Sequence, residues 1–239
     1  MTQPVQAFNN RFSQLLSEIT DDLGGYLRYI KGLGYKGVAM SDESVRILER
    51  WGKGFLAEDL EMIRNDLGEC RRCKLYKGRR HVVFGEGNPR AKLVLVGEGP
   101  GYEEDIQGSP FVGQAGQLLT RILKSINLTR QEVYICNIIK CRPPGNRDPE
   151  PDEIAACTPF LRRQIRAIRP KFICALGTFA AQTLLETNTP ISNLRGRFHT
   201  YEDILLLPTY HPAFLLRNPG KKRDVWMDVQ MLQEAYEKT

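Results

Sequence analysis

Three side chains that can move or hold charge stand at the ends of apolar runs in this sequence. Glu98 closes Ala91 to Glu98 (AKLVLVGE) and opens the turn Gly97-Glu98-Gly99-Pro100-Gly101. Asn137 ends a second run within Val133 to Ile139, and His211 follows a third, Ile204 to Tyr210. A carboxylate can position a water or stabilise a developing cation. A primary amide offers a donor and an acceptor side by side, and an imidazole can donate to an oxygen on which negative charge builds. The glycine turn is not G-x-G-x-x-G and lacks the lysine of a phosphate loop, which argues against nucleotide binding. Glu103 and Asp105 just beyond it fit a solvated helix start, where acids suit the helix dipole.

Six cysteines are present: Cys70, Cys73, Cys136, Cys141, Cys157 and Cys174. Cys70 and Cys73 form a C-x2-C pair, commonly a metal ligand or a redox centre. A net charge of +6 favours an anionic partner, nucleic acid above all. Two basic clusters carry much of it. One is Arg71, Arg72, Lys74, Lys77, Arg79 and Arg80; the other is Arg217, Lys221, Lys222 and Arg223. The bland reading of both is solvated loops.

The elements that position these groups follow from periodicity. Short continuous apolar runs suit strands buried on both faces: Ala91 to Glu98, Val133 to Ile139 and Phe172 to Gly177. Phe198 to Tyr201 and Ile204 to Tyr210 read as a hairpin or two edge strands. Helices are expected over Leu118 to Ile126, from Pro151 to Pro170, over Thr178 to Leu185, and over Asp224 to Glu237, the last burying Trp226, Val229, Leu232 and Tyr236. The alternation predicts a three-layer α/β/α fold on a central, mostly parallel sheet of four or five strands, plus a helical N-terminal extension. In such a sheet ligands bind beyond the carboxyl ends of the strands. The segments Gly97 to Asp105, Asn137 to Arg147 and Pro208 to Arg217 all fall there. Residues 1–68 read as the extension and 69–239 as the chemical domain. In the extension, apolar positions from Phe8 to Ile30 have helical spacing, Ser41 opens a second helix through Val45, Ile47, Leu48 and Trp51, and Ala57 to Leu67 forms a third. No run approaches the roughly 18 apolar residues of a membrane helix. Met1 to Asn10 lacks a basic stretch followed by an apolar one, so a cytoplasmic location is expected, with reduced cysteines.

GEGPGYEEDIQGSPFVGQAGQLL, NIIKCRPPGNR and HPAFLLRNP together resemble the motifs of the family 4, iron–sulfur uracil-DNA glycosylases of the uracil-DNA glycosylase superfamily. The resemblance runs from about Cys70 to Tyr236 and leaves the N-terminal residues outside it. It implies base excision repair: uracil flipped from single- or double-stranded DNA and released by hydrolysis of its N-glycosidic bond, leaving an abasic site. It also implies a [4Fe–4S] cluster on Cys70, Cys73, Cys141 and Cys157. The spacing alone gives four thiolates that suit zinc as well. Cys136 and Cys174, inside strands, read as small buried hydrophobes.

In the matching positions Gly99, Phe111, Asn137 and Asn146 bind uracil, with Phe111 stacking on the base. The match also makes Glu104 and His211 catalytic, His211 supporting the leaving group, and Glu98 is read as catalytic beside them. Leu215, with Leu216 as its close competitor, matches the wedge pushed into the duplex, and Arg217 with Lys221 to Arg223 contacts phosphates. His81 and His199 match no role and read as surface residues. Where better-known relatives place an aspartate to orient water, this chain has Gly99, so Glu98 is the nearest carboxylate. Pro143 to Arg147 lacks the basic, histidine-bearing insertion of a branch that traps DNA covalently, so turnover is expected. A monomer is expected. For residues 1–68 three roles stay open: docking a replication or repair partner, contacting DNA, or stabilising the core. The rival reading is an iron–sulfur nucleic-acid-binding module without catalysis.

Overall fold

The structure is a computed structural model that describes Ser41 and residues 58–239. The helices expected between Phe8 and Trp51 lie outside the described residues, Ser41 apart. Residues 57–239 form one compact unit.

The unit begins with helix α1 (Leu60–Leu67), capped by the Asp59 carboxylate, which accepts from the Met62 N–H at 2.8 Å. Ile63 and Leu67 bury against Phe84 and Phe160. The third helix of the expected extension thus packs as part of this unit.

Six strands form one sheet: β1 (Glu86–Gly87), β2 (Leu93–Gly97), β3 (Tyr134–Asn137), β4 (Phe172–Leu176), β5 (His199–Tyr201) and β6 (Ile204–Thr209), in the order β1-β3-β2-β4-β6-β5. The inner four are parallel, as the alternation predicts. The short β1 and β5 add antiparallel edges. Ile204 to Tyr210 therefore supplies an inner parallel strand as well as one arm of a hairpin.

Each face of the sheet is covered by helices, which is why β2 and β4 are buried at every position. Along β2, Val94 and Val96 point to one layer with Leu161 and Ile165 of α4 (Pro151–Ile168) and Ala180 and Leu184 of α5 (Thr178–Leu185). Leu93 and Leu95 point to the other, with Leu119 and Leu123 of α3 (Gln114–Ser125) and Val229 and Leu232 of α8 (Lys222–Glu237). The shorter helices are α2 (Tyr102–Gln107), α6 (Ile191–Leu194) and α7 (Pro212–Arg217).

One expected core residue is not in the core. Trp226 is 42% exposed. The buried stripe of α8 runs Val225, Asp228, Val229, Leu232, and Trp226 sits one step round the helix from it. The polar Asp228 takes part in that stripe because it is satisfied: Thr209 Oγ1 donates to it at 2.5 Å and Arg195 Nε at 3.0 Å. That network fixes the last residue of β6, two positions before His211.

From β2 the chain winds one way to β3 and then back across β2 to β4. The reversal opens a crevice at the carboxyl end of β2, where a doubly wound sheet receives its ligand.

Candidate active site

A cleft of about 640 Å³ opens at that crevice. Its walls come from the ends of all four parallel strands. Glu98 and Gly99 follow β2, Asn137 ends β3, Gly177 to Phe179 follow β4, and Tyr210 and His211 follow β6. Phe111, Glu104, Asn146 and Arg217 line it too. All the expected base-binding and catalytic residues are thus brought together from segments distant in sequence.

The floor is set by glycine. Gly97 pairs with Asn137 in the β2–β3 register, and a Cβ on Gly97 would lie 2.4 Å from Asn137 Oδ1 and 2.5 Å from Phe111 Cζ. Any larger residue would push amide and ring apart. Gly99 lies over Ile139 behind it.

Asn137 is 1% exposed, and its Oδ1 is buried without a hydrogen-bond partner. Leaving such an atom unpaired costs about 1–3 kcal/mol. A group that a ligand later satisfies is one reason for a fold to carry that cost. Phe111 is held in the left-handed region, at φ 54°. The Arg130 guanidinium fixes that bend by donating to the carbonyls of Phe111 at 3.1 Å and Pro110 at 2.7 Å, while it pairs with Glu86. Gly116 leaves room for it, since a Cβ there would meet the Phe111 carbonyl oxygen at 1.8 Å.

The Phe111 ring lies 5.5 Å from the imidazole of His211, tilted by 33°. His211 caps α7, its Nδ1 accepting from the Ala213 N–H at 3.1 Å. A neutral imidazole with Nδ1 accepting must carry its proton on Nε2. Burial, with the nearby Arg217 charge adding to it, pulls the His211 pKa down to about 4. The ring is therefore a neutral donor throughout the neutral pH range.

The two acidic candidates separate. Glu98 is half-buried in the cleft, and burial, then the charge of Asp148, pushes its pKa up to about 7. Glu104 is committed instead to the backbone. Its carboxylate accepts from the N–H groups of Gly101 at 3.1 Å, Val112 at 2.9 Å and Gly113 at 3.0 Å. It staples the turn after β2 to the segment that carries Phe111. Asp105, expected on a solvated helix start, is instead buried, because its carboxylate accepts from the Arg80 N–H at 2.8 Å.

Two expected contacts sit differently from the sequence reading. Leu215 is 1% exposed and packs in the core of α3 and α8, whereas Leu216 is 40% exposed. The wedge reading of Leu215 is corrected accordingly: the helical turn of α7 points Leu215 inward and its neighbour outward. Asn146 stands exposed at the rim, and its Oδ1 already accepts from Arg142 Nε at 2.6 Å. Tyr102, Asp148, Thr178, Phe179, Tyr210 and Phe214 also line the cleft and were not singled out from sequence. Thr178 and Phe179 follow a strand end, the same signal that marked the other segments.

The basic runs divide in the same way. Arg72 pairs with Asp66 and Lys74 with Glu150 and Asp152, and Arg79 donates to the Cys70 carbonyl at 2.6 Å and to Cys141 Sγ at 3.3 Å. Three of the first cluster's six residues are thus engaged around the cysteine loop, while Arg71, Lys77 and Arg80 are exposed. Arg217 is exposed and lines the cleft, and Lys222 and Arg223 are exposed at the start of α8.

None of the six cysteines is in a disulfide, and Cys136 and Cys174 are buried in β3 and β4 as expected. Among the described residues no three His, Cys, Asp or Glu side chains close around a single ion. No helix among them is long and apolar enough to cross a membrane.

Four parallel strands thus bring an amide, an aromatic ring, a carboxylate and a neutral imidazole to one edge of an α/β sheet, and the sequence pattern of the uracil DNA glycosylase superfamily matches residues 84–235. The chain belongs to that superfamily, and within it to the type-4 branch. It is 45% identical over 187 residues to the type-4 uracil-DNA glycosylase of Saccharolobus solfataricus, covering 74% of this chain and 87% of that protein. The type-4 uracil-DNA glycosylases of Sulfurisphaera tokodaii and Archaeoglobus fulgidus are each 43% identical, covering 74% of this chain and 84% and 93% of those proteins.

Proposed function

We propose that this protein excises uracil from DNA in base excision repair, hydrolysing the N-glycosidic bond and leaving an abasic site. The observation that carries the reading is the buried, unpartnered Oδ1 of Asn137 in a cleft shared with Phe111 and His211. That oxygen is an acceptor waiting for a donor. Uracil brings N3–H beside a carbonyl, matching an amide's acceptor and donor. Cytosine brings an N3 lone pair beside an amino group and leaves the oxygen unpaired, which is how the contact discriminates.

The base enters extruded from the stack and lies on the Phe111 ring. As the bond to the sugar lengthens, negative charge gathers on the uracil carbonyl oxygens. The Nε2–H of His211 donates to that charge without having to lose or gain a proton first, which suits a preorganised donor. Positive charge gathers on the sugar, and Glu98 as a carboxylate stabilises it and orients the attacking water. Glu104 is a positioning residue that holds the Phe111 segment. Asn146 acts at the rim, and Leu216 with Arg217 engages the strand outside the cleft.

Cys70, Cys73, Cys141 and Cys157 fit a [4Fe–4S] cluster by their donor set. Each of three sulfurs already has an N–H donor: Cys70 from Arg72 at 3.6 Å, Cys141 from Arg79 at 3.3 Å, and Cys157 from the Lys140 backbone at 3.3 Å. N–H donors to sulfur are what bound thiolates use. Cys73 lies close enough to Cys70 for the charge of one to raise the pKa of the other, after burial. A cluster bound there supplies shape to the basic loop, since hydrolysis needs no electrons. The protein acts as a monomer in the cytoplasm, with uracil-containing DNA as its partner.

The test is a labelled single-stranded oligonucleotide with one uracil, treated with protein and then hot alkali, beside a His211→Ala control. Strand breakage at uracil that needs alkali and falls in the control supports the reading. Absence of breakage by protein that retains its visible iron–sulfur absorbance, on this strand and on its U·G duplex, overturns it in favour of a binding module.

A further inference from the structure

Tyr102 opens α2 at the rim of the cleft and is 49% exposed. An exposed tyrosine alone is unremarkable. This one is held. The Arg142 guanidinium sits over its ring at 5.0 Å from the centroid, a cation–π contact. Arg142 is held in turn, since its Nε donates to Asn146 Oδ1 at 2.6 Å. Asn146 lies in a 3-10 turn (Pro144–Asn146), and the next residue, Arg147, is pinned to the buried Glu153 by bonds of 2.9 and 2.6 Å. The phenol ring is therefore fixed through three residues to α4, while half of its surface stays in solvent. Glu104, two residues on, anchors the other side of α2.

A rigid aromatic face with a guanidinium behind it is the chemistry that receives a nucleobase. Every base has a π-face, so such stacking tolerates any sequence. The neighbour of an extruded base loses one stacking partner at the moment of extrusion. A ring at the rim of the cleft can replace that partner, and a guanidinium there adds attraction for the strand's phosphates.

We propose that Tyr102, backed by Arg142, is a binding subsite for the nucleobase next to the extruded uridine on the same strand. The proposal rests on the cleft being the uracil site. It makes the rim hold the strand by base stacking as well as by charge, independently of Leu216 and Arg217.

The experiment compares wild type, Tyr102→Ala and Tyr102→Phe on two single-stranded oligonucleotides. One has natural bases on both sides of the uracil. The other carries tetrahydrofuran residues, which lack bases, at the two neighbouring positions. On the natural strand Tyr102→Ala is expected to lower kcat/KM by about 5- to 100-fold, the range of a lost base–aromatic stack, and Tyr102→Phe to stay within about twofold of wild type. On the base-less strand alanine and wild type are expected to agree. Inhibition by free uracil, which touches only the inner cleft, is expected to be unchanged. Equal activity of alanine and wild type on the natural strand overturns the subsite. An equal loss on both strands overturns it too, assigning the residue to the backbone or to the fold. A wild type inactive on the natural strand overturns instead the uracil reading on which it rests.

Discussion

Lys140 Nζ donates to the backbone carbonyl of Asn137 at 2.8 Å, inside the protein. The lysine is 0% exposed, and its second bond runs to Gln164 Oε1 at 2.6 Å. Gln164 passes the chain on to the Phe84 carbonyl at 2.9 Å and to Tyr134 at 3.2 Å. The backbone N–H of the same lysine meets Cys157 Sγ at 3.3 Å. One residue thus ties the cysteine set to the amide at the foot of the cleft. Fully satisfied buried networks rigidify a site, and half-satisfied ones are costly.

Lys140→Met keeps the stem and removes both donors, leaving two buried oxygens unpaired. The expected cost is about 2–4 kcal/mol of stability, read from thermal or denaturant unfolding. If the network positions Asn137, KM and inhibition by free uracil should weaken together, and any iron bound under the proposed cluster assignment should stay at wild-type stoichiometry. A double variant with Asn137→Ala should then lose less than the sum of the two single effects. Strict additivity would mean that the lysine supports only the fold.

The pH dependence of the reaction should report Glu98. A carboxyl with a pKa of about 7 is mostly protonated below neutrality and cannot then face a developing cation. The expected kcat/KM rises about tenfold per pH unit on the acid side and flattens above about pH 7 to 8. Glu98→Gln should lower the plateau and abolish the acid limb. A profile flat from pH 5 to 8 in the wild type would assign the carboxylate role elsewhere, with Asp148, a cleft acid whose charge acts on Glu98, the first alternative.

His211 makes a separable prediction about stability. Its folded pKa of about 4 lies below the ordinary 6.5 of an exposed imidazole. Between those values the unfolded chain binds a proton that the folded chain does not, so stability rises with pH across that window and is fully present above it. Lowering the pH from 6.5 towards 4 should therefore destabilise the wild type more than His211→Ala. Parallel pH–stability curves for the two proteins would contradict a ring held neutral. Above pH 5 the same histidine should add no limb to the rate profile, which keeps its signature distinct from that of Glu98.

Much of this site was legible in the sequence, and the parts that were not have physical reasons. Glu98, Asn137 and His211 could be found because apolar runs of strand length end at them and a parallel sheet gathers its strand ends. The choice between Glu98 and Glu104 could not be made, because it depends on three backbone N–H groups from residues up to nine positions away. Lys140 was silent because burial of a lysine is invisible beside a motif that explains its neighbours. Trp226 was misplaced by a single step of helical phase, which apolar spacing alone does not fix when Val225, Met227 and Val229 surround it. The edge strand Glu86–Gly87 was missed because two residues, one of them a glycine, carry no periodicity.

The same question of phase separates Leu215 from Leu216. Leu215 is buried among the side chains of α3 and α8, and Leu216 is 40% exposed on the outer side of α7 beside Arg217. Leu215→Ala should leave a cavity and cost about 2–5 kcal/mol of stability. Leu216→Ala should leave the melting temperature nearly unchanged, as exposed substitutions usually do. Its effect should appear in the substrate. Extrusion from a duplex opens a stack that an apolar side chain can fill, so excision from duplex DNA should fall by about tenfold, and from a single strand by under about twofold. Comparing the two variants by thermal unfolding and by the ratio of duplex to single-strand rates separates a core leucine from a wedge. If Leu216→Ala leaves that ratio at the wild-type value, the space vacated by the flipped base is filled by something other than α7.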